Sequence, residues 1–307
     1  MLTKKFKFFK IMQLFAYILI YPFIWLLSLL PTKILYMFSS ILFLLIFYVF
    51  GYRRKVVREN LELCFPEKSE KEIRIISKKF YQHFCDMIFE SIRSLSISEA
   101  EIKRRFVFTN IEEIHKIEKE NKSIMLMCAH YGSWEWIFIL QKYVDSKGYA
   151  IYKKLANKYF DRLAKRIRAK YNTYLITTKQ TVSTLKQLKE KGELGIYGFL
   201  SDQSPKVKSA HHWKEFMNIK VPVYTGAEKL SKELDMAVVF FKTKKVKRGY
   251  YETTFKTITL NPNEYKDYEI TDMFVSYLEE LIHEAPEFYL WTHKRWKHKD
   301  KVPKKFQ

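Results

Sequence analysis

The chain of 307 residues has room for one large domain, or for one domain with an anchor. Its 55 Lys and Arg against 33 Asp and Glu give a formal net charge of +22, a balance that seeks polyanions: an anionic leaflet, an acidic protein or nucleic acid. The absence of zinc-finger spacing or an RNA-binding aromatic signature turns the reading away from nucleic acid, and three scattered cysteines without a CxxC pair, Cys64, Cys85 and Cys128, argue against a disulfide scaffold or zinc site and suit a reducing compartment.

Lys4, Lys5, Lys7 and Lys10 precede an uncharged stretch from Ile11 to Thr32, in which Tyr17, Tyr21 and Trp25 supply interfacial aromatics. A bilayer core takes about 20 apolar residues in a helix, so this stretch is long enough to cross. A second uncharged stretch, Ile34 to Tyr52, is followed by Arg53, Arg54, Lys55 and Arg58. Positive charge on both outer flanks fits a hairpin with both ends cytoplasmic, and equally a monotopic insert that dips in and returns. Residues 1–55 are therefore expected to anchor the domain formed by 56–307.

From Val56 to Leu95 the pattern is helical, broken at Pro66 and restarted by a capping box at Ser69 and Glu72. Ile73, Ile76, Phe80, Phe84, Met87 and Ile88 form an apolar stripe along the second helix. From Ser123 onward strands alternate with helices. Expected strands are Ile124 to Ala129, Tyr149 to Tyr152, Tyr174 to Thr177, Leu194 to Ser201 and Ala237 to Phe241, with Tyr250 to Leu260 antiparallel to the last. Expected helices are Lys158 to Tyr171, Val182 to Lys191, Ala227 to Leu234 and Asp272 to His283. This alternation predicts an α/β fold: a largely parallel mixed sheet flanked by helices, behind N-terminal hydrophobic anchor helices.

The chemistry concentrates at "SIMLMCAHYGSWEW", Ser123 to Trp136: a buried strand, a tight turn at Gly132 and a helix start. On one continuous helix His130 and Glu135 would diverge by about 140°. With His130 on the turn and Glu135 just inside the helix they can meet. The carboxylate then holds one imidazole nitrogen and leaves the other to take a proton from a hydroxyl. On the wheel of the Lys158 to Tyr171 helix, Phe160, Leu163, Ala164, Ile167 and Tyr171 make the apolar face. Arg162, Lys165 and Arg166 point away, and Arg168 sits at the edge of the buried stripe. Arg168 is either snorkelling or reaching into a cleft. The strand from Leu194 ends in Asp202 and Gln203, at the sheet edge where α/β folds place ligands.

The run "AHYGSWE" resembles the acceptor-side His-x4-Glu motif of the glycerolipid acyltransferase superfamily, in the form of the bacterial late lipid A acyltransferases. "VVRENLELCFPEKSEKE", the Asp161 to Arg168 spacing, "SDQSP", "FMNIKVPVYT" and "FYLWTHKRWKHK" are similar to successive segments of that family, so the resemblance covers nearly the whole chain in order. It implies that a fatty acyl group moves from a thioester, with acyl carrier protein as donor, to a hydroxyl of a glycolipid acceptor at the cytoplasmic side of a bacterial inner membrane. No metal or redox cofactor is required. It implies His130 as base and Glu135 as its orienting partner, with Arg168 holding a phosphate or a developing negative charge. Asp202, with Gln203 beside it, would orient Arg168 or bind the headgroup. By the same resemblance Phe216 to Thr225 is a loop leading into a helix, with Val221 and Val223 either lining an acyl groove or packing the core. Trp291, His293, Arg295 and Trp296 would form an interfacial or lipid-phosphate surface, or else a solvated basic tail. One departure is visible: Lys153-Lys154 stand where close relatives carry Arg after a Tyr, which keeps the charge but loses the planar fork that reads a headgroup. An acceptor hydroxyl on a lysophospholipid or aminolipid is the alternative within the same class, and the rival of another class is a membrane-tethered basic module without chemistry, binding anionic lipid or nucleic acid.

Overall fold

The computed structural model describes residues 2–306, with side chains from residue 11 onward, so the lysines preceding Ile11 lie outside the described side chains. Three strands absent from the sequence expectations, Phe106–Phe108, His212–Phe216 and Ile219–Val223, join those anticipated. In chain order the strands are β1 (Phe106–Phe108), β2 (Ile124–Cys128), β3 (Lys147–Tyr152), β4 (Tyr174–Thr177), β5 (Gly195–Leu200), β6 (His212–Phe216), β7 (Ile219–Val223), β8 (Ala237–Lys247) and β9 (Tyr250–Thr259). Seven form one sheet in the order β1-β9-β8-β2-β5-β3-β4. The run from β8 to β4 is parallel, and β9 turns antiparallel to β8 as expected. β2 lies near the middle and every one of its residues is buried. Its uncharged composition follows from cover on both faces, as central parallel strands require. β8 runs on past Phe241 to Lys247 because its later lysines pair across to β9 beyond the buried part of the sheet.

The helices are α1 (Leu2–Leu29), α2 (Thr32–Leu44), α3 (Arg54–Cys64), α4 (Glu70–Arg93), α5 (Glu99–Arg105), α6 (Glu112–Lys119), α7 (Lys158–Arg168), α8 (Thr181–Glu190), α9 (Gly226–Leu234) and α10 (Glu269–Glu284). α2 continues as a π-helix to Phe50. The Ser69–Glu72 capping box starts α4 as its sequence predicts. Its apolar stripe is only half right. Ile73, Ile76 and Phe80 are buried, but Phe84, Met87 and Ile88 are half-buried, and the inward side of the later turns carries His83, Asp86 and Glu90.

Two further expectations are overturned. Residues 212–223 form a β6–β7 hairpin rather than a loop. Its turn places Met217 and Asn218 both at positive φ, a type of turn whose usual glycine signal is missing from the sequence. Val221 and Val223 pack in the core. The C-terminal aromatic-basic segment is neither an exposed surface nor a tail: Trp291, Arg295 and Trp296 are buried. Trp296 stacks on Phe216 at 5.5 Å and on Trp291 at 5.7 Å. The Arg295 guanidinium lies over Phe216 and donates to the Pro222 carbonyl at 3.1 Å. The missed hairpin supplies the partners that bury this segment.

α1, over Ile11–Leu29, and α2 together with its π-helical continuation, over Thr32–Phe50, are long and apolar enough to cross a membrane. Each also bonds the domain. From α1, Gln13 Nε2 donates to the Ala156 carbonyl at 3.2 Å, and Arg93 donates to the Ser28 carbonyl at 2.7 Å. From α2, the hydroxyls of Thr32, Tyr36 and Ser39 donate to Glu101, Glu90 and Asp86 at 2.9, 2.8 and 2.6 Å. Their outer faces expose large apolar side chains, Phe15, Leu19 and Phe23 on one and Met37, Ile41 and Val49 on the other.

Candidate active site

Two adjacent parallel strands build the centre of the site. Cys128 of β2 is in register with Leu200 of β5, and the ladder continues as Ser201 N–H donates to the Cys128 carbonyl at 3.1 Å. His130 and Asp202 each lie two residues further on, so register alone sets them side by side at the carboxyl edge of the sheet. The His130 Nδ1 to Asp202 Oδ1 distance is 2.7 Å. Gln203 completes the contact, its amide nitrogen 3.3 Å from His130 Nε2. The Trp134 ring packs edge-to-face with the imidazole, with centroids 5.2 Å apart.

The carboxylate on the imidazole is thus Asp202, where the sequence placed Glu135. The turn explains the exchange. Gly132 sits at φ +60°, and a Cβ there would meet the Thr243 side chain at 3.1 Å. The chain then enters a 3-10 helix, Trp134 to Lys142, which aims Glu135 toward α7. There Arg168 grips it with two bonds, Nη2 to Oε1 at 2.6 Å and Nε to Oε2 at 3.2 Å. Arg168 is half-buried while Arg166 is exposed, as the helix wheel predicts. Asp202 does not orient Arg168; Glu135 does.

The electrostatics follow this pairing. Burial pulls the His130 pKa down, but the charge and hydrogen bond of Asp202, with help from Glu135, outweigh both burial and the nearby Arg168 charge. The imidazole therefore titrates above its ordinary range. Burial pushes the Asp202 carboxyl up, yet the charge and hydrogen bond of His130 hold it below the usual carboxylate range. An ionised Asp202 only accepts, so Nδ1 carries a proton; when the ring is neutral its lone pair is on Nε2, on the side of the Gln203 amide nitrogen.

The turn itself is stitched to the C-terminal segment. Gly132 N–H donates to the Phe288 carbonyl at 3.0 Å, Leu290 N–H to the His130 carbonyl at 3.1 Å, and the Tyr131 hydroxyl to the Leu281 carbonyl at 2.9 Å. Behind Asp202 stand groups whose role the sequence did not show. Burial and the Asp202 charge hold the Tyr289 phenol protonated. Burial drops His293 to about 4, so it is neutral, and its Nε2 accepts from Ser204 N–H at 3.5 Å. Asn60 of α3 fastens this segment by donating to the carbonyls of Trp291 and His293, both at 2.9 Å. The order "Asn-Leu" near the start of the domain and "Trp-Thr-His" near its end was visible; that one clamps the other was not.

Among the described residues no group of three or more His, Cys, Asp or Glu is placed to hold a metal ion. Chemically, the arrangement offers an imidazole backed by a buried carboxylate, with a carboxylate-held guanidinium close enough to influence its charge.

A family model described as bacterial lipid A biosynthesis acyltransferase matches residues 2–298. A lipid A biosynthesis lauroyltransferase of Escherichia coli is 27% identical over 278 residues, 89% of this chain and 89% of the relative. A lipid A biosynthesis palmitoleoyltransferase of the same organism is 24% identical over 80% of this chain and 79% of its own length. A lipid A biosynthesis acyltransferase of Haemophilus influenzae is 23% identical over 78% of this chain and 74% of its own.

Proposed function

Because the chain belongs to the bacterial lipid A biosynthesis acyltransferase family, we propose that it moves a fatty acyl chain from the thioester of acyl carrier protein to a hydroxyl of a lipid A precursor. An acyltransferase sets aside the rival reading of a basic tether without chemistry. His130 Nε2 takes the proton of the acceptor hydroxyl as its oxygen attacks the thioester carbonyl. The imidazolium that forms is stabilised by Asp202, and Nδ1–H keeps the ring aimed. The tetrahedral intermediate collapses, the carbon–sulfur bond breaks, and His130 returns the proton to the leaving thiolate. Arg168, held by Glu135, stabilises the developing negative charge or holds a phosphate of the acceptor. Gln203 contributes to the acceptor side of the cleft.

The observation that carries this reading is the 2.7 Å contact of His130 Nδ1 with a buried Asp202, which leaves Nε2 as an acceptor at the strand ends. The experiment is an initial-rate assay with a lipid A precursor and either acyl carrier protein or coenzyme A thioesters. A His130→Ala protein that keeps its rate ends the mechanism, and a rate confined to coenzyme A ends the choice of donor. The basic surface fits both an acidic carrier protein and an anionic leaflet.

Residues 1–55 serve as the anchor, inserted from the cytoplasmic side of the inner membrane. Gln13 and Ser28, far apart on α1, both bond the domain, and three hydroxyls of α2 do the same. A helix pinned along its length to the domain does not cross about 30 Å of hydrocarbon. The pair therefore enters one leaflet by its exposed apolar face. With Leu30→Cys in intact spheroplasts, a membrane-impermeant thiol reagent should fail to label; labelling from the periplasmic side refutes the monotopic arrangement.

A further inference from the structure

The inward side of α4 carries His83, Asp86, Glu90 and Ser94, a polar stripe at helical spacing where a core helix ordinarily presents apolar groups. Asp86 has cationic partners: Arg248 grips it at 2.6 and 3.1 Å and Lys245 at 3.4 Å. Glu90 is buried as deeply, and its hydrogen bonds come from three hydroxyls. Tyr36 of α2 donates at 2.8 Å, Tyr251 of β9 at 3.0 Å and Ser133 of the His130 turn at 3.2 Å. Desolvation raises its pKa. A carboxyl so placed adds little stability that a packed apolar side chain would not. What it does provide is a directional joint between α2, β9 and the His130 turn; Arg248 also ties Tyr36 to the β8–β9 turn, but Glu90 is the group that carries the link on to Ser133.

We propose that Glu90 is a positioning residue: it transmits the seat of the membrane helix α2, through Tyr36, to Ser133 and so to the angle at which His130 and Glu135 leave the turn. Ser133 lies between those two residues, so fixing its hydroxyl fixes the turn from which both side chains project. Tyr36 and Ser133 share no hydrogen bond with each other, and Glu90 is the group that joins them. The consequence is that the anchor does more than hold the enzyme at the bilayer: the placement of α2 is part of the active-site scaffold. This inference rests on the reading of His130 as the base.

The test is a double-mutant cycle on the full chain in detergent micelles, with Tyr36→Phe, Ser133→Ala and the pair. Each single change removes one hydroxyl and should lower kcat by about 3- to 10-fold with KM little changed, the melting temperature falling modestly as a buried hydrogen bond is lost. The double mutant should be no slower than the slower single, since each change frees the same joint. Glu90→Ala should lower kcat to a similar level. Glu90→Gln should recover most of that loss, because its amide oxygen still accepts from the tyrosines and its NH2 donates to Ser133 Oγ. Multiplicative losses in the cycle, a change in KM alone, or a Glu90→Gln no better than Glu90→Ala would each overturn the proposal. If His130→Ala retains its rate, the mechanism above falls with it. If His130→Ala is inactive and the cycle is multiplicative, this inference falls alone.

Discussion

The site contains two carboxylates doing opposite jobs, and their surroundings decide which does which. Asp202 has a side chain 2% exposed and faces an imidazole; Glu135 has one 28% exposed and faces a guanidinium. Burial strengthens the first pairing, because the charge of Asp202 acts on His130 through little water, and the imidazole titrates higher in response. The second pairing is a bidentate clamp at the rim, where solvent screens charge but geometry still holds the Arg168 fork. One carboxylate raises the pKa of an imidazole, and the other holds a cation.

The largest test of that contrast is His130→Ala, which should lower the rate by about 10²- to 10⁴-fold with the fold intact, measured as initial rates with excess acyl donor. Next, Asp202→Asn keeps the shape but removes the charge that stabilises imidazolium, and should cost about 10²-fold or more. It also predicts a shift. The base works when neutral, so the wild-type rate rises with pH through a pKa above the ordinary imidazole value. Without the Asp202 charge that acid limb should move to lower pH. An unmoved limb would mean that Asp202 does not set the protonation of His130.

A smaller loss is expected from the rim pair. Arg168→Ala should cut turnover by about 10- to 10²-fold by removing a charge-assisted contact. Glu135→Gln should fall on the same scale, and the double mutant should be little worse than Arg168→Ala, because Glu135 then has nothing to aim. Glu135→Gln combined with His130→Ala separates the two jobs. Non-additive losses in that cross pair would mean Glu135 serves the imidazole after all. At the bottom of the scale, Arg166→Ala should leave turnover almost unchanged and shift stability by no more than about 0.5 kcal/mol, since its side chain faces solvent.

Much of the site was legible one residue at a time. Arg168 at the edge of an amphipathic helix, His130 at a strand end and Asp202 at another were readable because periodicity and turn chemistry are local. Pairing was not readable. His130 and Asp202 are 72 positions apart, the intervening chain includes a strand, a helix, another strand and a further helix, and only the placement of β5 beside β2 brings the two together. Glu135 was the nearer carboxylate in sequence, so proximity along the chain stood in for proximity in space. The C-terminal segment failed for a related reason. Alternating aromatics and cations have the composition of an interfacial surface, and nothing local says that a hairpin with a Met-Asn turn will cover them.

The sequence by itself determined the α/β class, the apolar helices at the N-terminus, the break at Pro66 with its capped restart, and the residue types that line the strand ends. These depend on side-chain period, capping and chain stiffness, all of which act within a few residues. The tertiary structure alone decided that Asp202 and not Glu135 holds the imidazole, that Glu135 clamps Arg168, that α4 turns its carboxylates inward, and that Trp291, Arg295 and Trp296 belong to the core. Each of these is a choice of partner made by strand order, register and the desolvation of groups distant in sequence, and such choices exist only once the chain has closed on itself.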